Sequence, residues 1–148
     1  LMVSLPHDQK NLNPLHQDIY NFTSFNFIKL WLPLTKVDKK NGSMEVYKSS
    51  NKLGFLKPHY TSSESTYPII DQKYVNMHES VIFDLEPGDC VFFHPLLIHR
   101  GVNNTSKNTR FTIGIDIQDF DIKGNSNVIK EMSKIVKERK RRRRKLIN

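Results

Sequence analysis

Short apolar segments separated by turn residues follow one another along most of the chain and predict a mostly β structure. The clearest segments are rich in aromatic and branched residues: 25–32, 43–47, 81–85, 90–93 and 111–117. Turn signals stand between them, such as Asn41-Gly42 and the run from Glu86 to Asp89. About six or seven short strands with such turns predict a β-barrel or sandwich.

The pattern changes at Ser126, where apolar residues begin to recur at helical spacing. This spacing predicts an amphipathic helix over 126–140 with Ser126 as its N-cap, and the apolar residues that recur are Val128, Ile129, Met132, Ile135 and Val136. The basic run that follows predicts fading order, because like charges repel. The chain is therefore expected to divide into a β core at 1–125 and a helix with a basic tail at 126–148. Between strands, residues 48–76 lack periodicity and predict an irregular excursion.

Composition limits the possible classes of protein. The chain has 148 residues, of which 37% are hydrophobic, enough for one domain. No apolar run approaches the roughly 18 residues of a membrane span, and no signal-peptide pattern opens the chain. The single cysteine, Cys90, excludes a disulfide framework, favours a reducing, intracellular compartment and is expected to be buried in a strand.

The basic character of the chain is confined to its end. The net charge is +8, but residues 1–129 hold thirteen basic and thirteen acidic residues. All of the excess comes from residues 130–148, so only the tail favours nucleic acid or an anionic surface, and a solvated end remains the simpler interpretation.

Two polar residues in an extended segment indicate a metal site. Residues two apart face the same side of a strand, so His16 and Asp18 project together while Gln17 points away. An imidazole and a carboxylate are two ligands of a facial metal triad, which a distant histidine would complete. His99, at the end of an apolar segment, is the preferred third ligand and His94 is the alternative. A solvated His–Asp pair at the surface stays open on this motif alone.

The last strand carries an anion-binding pattern. Arg110, Thr112, Gly114 and Asp116 share one face, predicted to point into a barrel lumen, and the alternating apolar residues are expected to pack on a second layer. A buried arginine needs an anionic partner, and a small dicarboxylate would supply one, with the Thr112 hydroxyl as a further donor. An ordinary surface ion pair of Arg110 is the alternative.

Taken in order, these motifs resemble the phytanoyl-CoA dioxygenase family. The resemblance runs from about residue 2 to 117 through a series of motifs: His16-Gln17-Asp18, Trp31, Asn41 to Val46, Glu86 to Asp89, and Phe92 to Gly101 with Asn104, Ser106 and Arg110. It implies a double-stranded β-helix (a jelly-roll, cupin-like barrel). The function it implies is that of an Fe(II)- and 2-oxoglutarate-dependent dioxygenase.

The resemblance also assigns roles to residues. His16, Asp18 and His99 would bind Fe(II), Arg110 would hold the distal carboxylate of 2-oxoglutarate, and Trp31 would line the co-substrate pocket or belong to the plain core. With O2, the enzyme would hydroxylate a C–H bond of a small-molecule or acyl-CoA substrate and release succinate and CO2. Asp18 stands where related halogenases carry a small residue, which favours hydroxylation.

Two departures bear on completeness and substrate choice. Family members read Pro-Gly-Ser-His-Lys where this chain has Lys48 to Lys52, and the helical N-terminal region of the family is absent, so an upstream part is expected to be missing. An address on that part would leave a peroxisomal location open, although the chain does not end in a peroxisomal Ser-Lys-Leu signal. Two alternatives follow: an inactive metal-binding cupin-like module, or an interaction protein acting through its basic helix.

Overall fold

Two antiparallel sheets and one long helix form the structure, a computed structural model that describes residues 1–8, 12–18, 26–62, 65–118 and 126–147. The strands are β1 (Met2–Ser4), β2 (Phe27–Pro33), β3 (Met44–Tyr47), β4 (Ser80–Ile82), β5 (Val91–Phe93), β6 (His99–Gly101) and β7 (Arg110–Gln118). The helix α1 spans Ser126–Ile147, and short 3-10 helices span Ser50–Leu53 and Gln72–Tyr74.

The strands pair in an order that brings distant parts of the chain together. One sheet has the order β1-β7-β2-β5, and the other has the order β4-β3-β6. Their facing sides share an apolar core, in which Trp31 of β2 and Phe93 of β5 pack with Met44 and Val46 of β3. The prediction of a mostly β fold is confirmed, and the two packed sheets are consistent with a jelly roll.

Element boundaries differ from the predictions where tertiary pairing ends. β2 includes Pro33 as its last residue, because the missing N–H of a proline is tolerated at a strand end. The segment 81–85 is strand only as far as Ile82, after which Leu85 forms an isolated bridge with Val37. The described residues of the excursion 48–76 form the two 3-10 helices and one antiparallel bridge, between His59 and Ile69, and are otherwise irregular.

The prediction that order fades in the basic run was wrong. The helix continues to Ile147, and Arg141 and Arg142 in this run form charge or ring contacts. Glu138 pairs with Arg141 and Arg142 at 2.7 Å, and the Arg142 guanidinium lies 3.8 Å from the centre of the Tyr60 ring. The side chain of Ser126, the predicted cap, lies outside the described residues.

Helix α1 packs through the predicted apolar stripe. Met132 is buried against Leu96, and Phe55 and Tyr67 border this contact together with Ile135 and Val136. No helix among the described residues is long and apolar enough to cross a membrane.

Two burial expectations were also wrong. The apolar face of β7 was expected to pack on a second layer, yet Ile117 is 52% exposed and Phe111 and Ile115 are also exposed. Cys90 is exposed and directly precedes β5; it lies two residues before the exposed Phe92, and residues two apart in an extended segment face the same side.

We expect Gly42→Ala to destabilise the fold. Gly42 has φ +94°, and an added Cβ would lie 2.5 Å from the Ser4 hydroxyl oxygen of β1. A left-handed backbone conformation costs a residue with a side chain about 1–3 kcal/mol. Gly54→Ala is the matched control, since Gly54 also has positive φ (+73°) but has open space around the added Cβ. Denaturant unfolding should show the larger loss for Gly42→Ala, and equal losses would contradict the steric argument.

Candidate metal centre

A short backbone bridge brings the two histidines of the site together. His16 and His99 form an isolated antiparallel bridge, with His16 N–H donating to His99 O at 2.9 Å and His99 N–H donating to His16 O at 3.0 Å. Asp18 N–H donates to Pro95 O at 2.9 Å and continues the pairing. The segment is extended, so His16 and Asp18 face the same side.

The residue between them anchors this segment from the other side. Gln17 is fully buried, and its amide donates to Gly54 O at 2.9 Å and Leu96 O at 2.8 Å. Its side-chain oxygen accepts the Leu56 N–H at 3.0 Å. The ligand segment is therefore held by side-chain as well as backbone hydrogen bonds.

Three side chains converge on one point. His16, Asp18 and His99 each offer a ligand atom, and these atoms all lie within 4.8 Å of one another. Asp18 Oδ1 lies 3.6 Å from His16 Nε2, and Asp18 Oδ2 lies 3.5 Å from His99 Nε2. Their role as metal ligands stays a prediction. The alternative, His94, is exposed and does not belong to this cluster.

Backbone carbonyls fix the orientation of both imidazoles. The Nδ1 of His16 lies 2.6 Å from Pro14 O, and the Nδ1 of His99 lies 2.9 Å from Leu97 O. A carbonyl oxygen only accepts, so each Nδ1 carries the proton and each Nε2 presents a lone pair to the centre. This is the tautomer that ligation through Nε2 requires.

Burial and charge keep His99 neutral and Asp18 ionised. Burial, reinforced by the nearby His16, lowers the pKa of His99 to about 4, so its imidazole is neutral at neutral pH. Burial on its own would raise the pKa of Asp18, but the neighbouring imidazoles and the Lys29 ammonium outweigh it and hold that pKa well below its ordinary value. The cluster combines two imidazole nitrogens with one carboxylate, a donor set typical of Fe(II) and related divalent ions.

The predicted anion-binding residues line the same cavity or stand beside it. Arg110 and Trp31 line a cavity of about 370 Å³ that also contains the three converging side chains. Arg110 donates to the Thr112 hydroxyl at 2.7 Å, and its guanidinium lies 5.7 Å from the Trp31 ring centre. Thr112 is fully buried, and Trp31 is buried in the core as well as lining the cavity.

Arg110 has a charge that its described surroundings do not neutralise. Burial lowers its pKa to about 10, which still leaves it a cation at neutral pH. Within the described ranges, its recorded polar and ring partners are the neutral Thr112 and Trp31, and no carboxylate forms an ion pair with it. This arrangement suits an anionic ligand that enters the cavity.

Three further residues at the cavity were not singled out from the sequence. Lys29 lies on the interior face of β2, two residues before Trp31, and alternation would have found it. Arg139 also lines the cavity and lies one heptad after Met132, on the same face of α1. Its guanidinium lies 4.7 Å from the ring centre of Tyr67, which meets the His16 ring edge-on at 5.2 Å. Tyr67 lies in the irregular segment and had no sequence signal.

Comparison with known proteins agrees with this combination of fold and site. A family model described as phytanoyl-CoA dioxygenase (PhyH) matches residues 1–112. The peroxisomal phytanoyl-CoA dioxygenase of Bos taurus is 32% identical over 94% of this chain and 46% of its own length. The chain belongs to the phytanoyl-CoA dioxygenase family, as its motifs predicted, and it spans about half the length of the curated relatives it matches.

Solved structures share the fold. The non-heme α-ketoglutarate-dependent carbocyclase SnoK from nogalamycin biosynthesis matches with a TM-score of 0.62 and 21% identity, over 79% of this chain and 46% of that one. EvdO2 from Micromonospora carbonacea var. aurantiaca, solved with 2-oxoglutarate, matches with a TM-score of 0.60 and 16% identity, over 82% and 52% of the two chains.

The pKa of His99 predicts an acid-sensitive apoprotein. Between pH 6.5 and about 4 the unfolded chain binds a proton at His99 that the folded chain does not, so the free energy of unfolding falls as the pH falls. The loss is about 3 kcal/mol at its limit. Denaturant unfolding with a chelator present measures the free energy of unfolding. Between pH 6.5 and about 4, this free energy should fall less in His99→Gln than in the wild type. The exposed His59→Gln serves as control, and an unchanged pH slope in His99→Gln would contradict the assignment.

Proposed function

We propose that the chain is the barrel core of an Fe(II)- and 2-oxoglutarate-dependent dioxygenase that hydroxylates a C–H bond and releases succinate and CO2. The observation that carries this proposal is the convergence of His16, Asp18 and His99, with both Nδ1 atoms committed to backbone carbonyls. Two imidazoles and one carboxylate on one face of an Fe(II) leave three coordination positions open. Membership of the phytanoyl-CoA dioxygenase family supports the same reading.

Arg110 and Thr112 would hold the far carboxylate of 2-oxoglutarate. Arg110 offers a planar fork of donors, and its contact with the Thr112 hydroxyl at 2.7 Å restricts where that fork points. The Thr112 hydroxyl accepts from Arg110, so its own hydrogen would be available to a ligand carboxylate that reaches Thr112 beside the cavity. Trp31, beneath the guanidinium, would form an apolar wall of the co-substrate pocket.

The protein would bind and orient the metal ion, the co-substrate and the substrate, and it would exclude water from the site. Iron with 2-oxoglutarate and O2 supplies the oxidising chemistry when bound. His16 and His99 present fixed lone pairs, and Asp18 supplies the one charged ligand. The surrounding cavity confines the substrate, with Tyr67 and Arg139 as a wall on the α1 side.

The substrate is proposed to be a small molecule or an acyl-CoA thioester. The matched relative from Bos taurus is named as a phytanoyl-CoA dioxygenase of the peroxisome, which supports an acyl-CoA-type substrate. The cavity supports an anionic group on a ligand at Arg110, because Lys29 and Arg100 in its lining are paired with carboxylates while Arg110 donates to the neutral Thr112. An intracellular location is part of the same proposal.

Metal binding tests the triad directly. We expect His16→Ala and His99→Ala to abolish Fe(II) binding, because each removes one of only three protein ligands. Isothermal titration under anaerobic conditions measures the affinity. His59→Ala is the matched control, since His59 is exposed and lies outside the cluster. Wild-type affinity in His16→Ala would contradict the assignment.

Turnover separates an oxygenase from its alternatives. Release of succinate from 2-oxoglutarate with Fe(II) and O2, across a panel of acyl-CoA and small-molecule substrates, is the expected result. Zn(II) and Co(II) should bind and inhibit, since neither supports the redox step. Metal binding without succinate release would indicate an inactive cupin-like module, and full activity with Zn(II) alone would exclude the proposed chemistry.

Arg110 separates a 2-oxoglutarate enzyme from a generic metal barrel. Arg110→Lys keeps the charge but loses the fork, so affinity for 2-oxoglutarate should fall strongly while Fe(II) affinity hardly changes. Arg110→Ala should lower the affinity for 2-oxoglutarate further. Thr112→Val should weaken 2-oxoglutarate binding by about 1 kcal/mol, the contribution of one hydrogen bond. The measurement is anaerobic titration of the Fe(II)-loaded protein, following the visible charge-transfer band.

A matched control for this titration is Arg141→Ala, which removes an exposed guanidinium from α1. It should leave 2-oxoglutarate affinity unchanged. Unchanged affinity in Arg110→Ala would instead assign Arg110 a structural role. If turnover fails and salt-sensitive binding to nucleic acid is lost on deleting 137–148, the chain acts as an interaction protein through its basic helix.

A further inference from the structure

A lysine stands inside the barrel beside the carboxylate of the metal centre. Lys29 lies on the interior face of β2, and its side chain is only 17% exposed. Its ammonium lies 3.5 Å from Asp18 Oδ2, the same oxygen that faces His99. A cation at this place attracts the carboxylate that a metal ion would need and repels the metal ion itself.

A second carboxylate holds this ammonium. Asp116 lies directly opposite Lys29 in the β2–β7 pair, and its Oδ1 forms an ion pair with Lys29 Nζ that is shorter than the contact to Asp18. Asp116 is about as well covered as Asp18, with 25% of its side chain exposed. The ammonium is therefore bound mainly to β7 and only loosely to Asp18.

The Asp116–Lys29 ion pair sets the net charge beside the metal centre. Asp18, Lys29 and Asp116 together carry one negative charge. Without Asp116 the same region would be neutral, and Lys29 would have Asp18 as its nearest recorded carboxylate. Charge interactions are strong here because the groups are largely shielded from water.

We propose that Asp116 is a positioning residue of the metal centre, which acts by binding Lys29 so that Asp18 stays available to a divalent cation. The inference rests on the proposed function, since it takes His16, Asp18 and His99 as the ligands. It concerns residues that the ligand motif does not contain. The Asp116–Lys29 pair tunes metal affinity without touching the metal.

The experiment measures Mn(II) and Co(II) affinity of four proteins by calorimetry: wild type, Asp116→Asn, Lys29→Met and the double variant. Asp116→Asn should bind about tenfold more weakly or worse, the range found for partners of metal ligands. Lys29→Met should bind at least as tightly as wild type. The double variant should recover wild-type affinity, because it restores the single negative charge. The Co(II) absorption spectrum should be alike in all four once loaded.

Controls separate this effect from a loss of fold. Glu86→Gln is the matched change at the exposed Lys36–Glu86 ion pair and should leave metal affinity unchanged. Thermal unfolding with a chelator reports stability independently of metal. If Asp116→Asn does not fold, Lys29→Met and the double variant still decide the question.

Several results would overturn the inference. Unchanged metal affinity in Asp116→Asn would show that the Asp116–Lys29 pair is merely structural. Weak metal binding in Lys29→Met or in the double variant would show that Lys29 itself is needed for metal binding. In all of these cases wild type still binds metal and His16→Ala does not, so the proposed function survives. Failure of wild type itself to bind would overturn both.

Discussion

The site depends on one antiparallel backbone bridge between His16 and His99. Its two hydrogen bonds, 2.9 and 3.0 Å long, join segments more than eighty residues apart and bring the two imidazoles to 4.1 Å between ring centres. Gln17 secures the same segment from its other face through three further hydrogen bonds. Since neighbouring residues of a strand face opposite sides, one residue anchors the segment while its two neighbours serve the centre.

Around this bridge, most of the charged side chains lie next to a group of opposite charge. Asp18 is surrounded by two imidazoles and the Lys29 ammonium, and Lys29 is in turn bound by Asp116. Arg110, at the start of β7, donates to the neutral Thr112 and lies over the Trp31 ring, and no described carboxylate forms an ion pair with it. Interior charges are costly unless they are paired, so a cation without an ion pair marks where an anionic ligand is expected.

Helix α1 contributes to the cavity as well as to the fold. Its apolar stripe covers Leu96, while Arg139 on the same side lies against Tyr67 at the cavity wall. Among its basic residues, Arg141 and Arg142 form ion pairs with Glu138, and the Arg142 guanidinium also lies against the Tyr60 ring. One helix thus combines a hydrophobic contact with a charged border to the site, and the basic tail is partly absorbed into the structure.

The local sequence pattern was sufficient to predict the mostly β class, the helix from Ser126 and the family. It also predicted the grouping of His16, Asp18 and His99. Alternation and ordered motifs can be found in this way because they are properties of the sequence itself. Other features depend on residues far apart in sequence. The contact of Arg142 with the Tyr60 ring joins the basic end of α1 to a distant segment, and the place of Tyr67 in the cavity wall needed the folding of an aperiodic segment. The pairing of Lys29 with Asp116 required the register of β2 on β7, which no local spacing contains. Periodicity assigns a side chain to a face, and only strand register and packing decide which charges meet there.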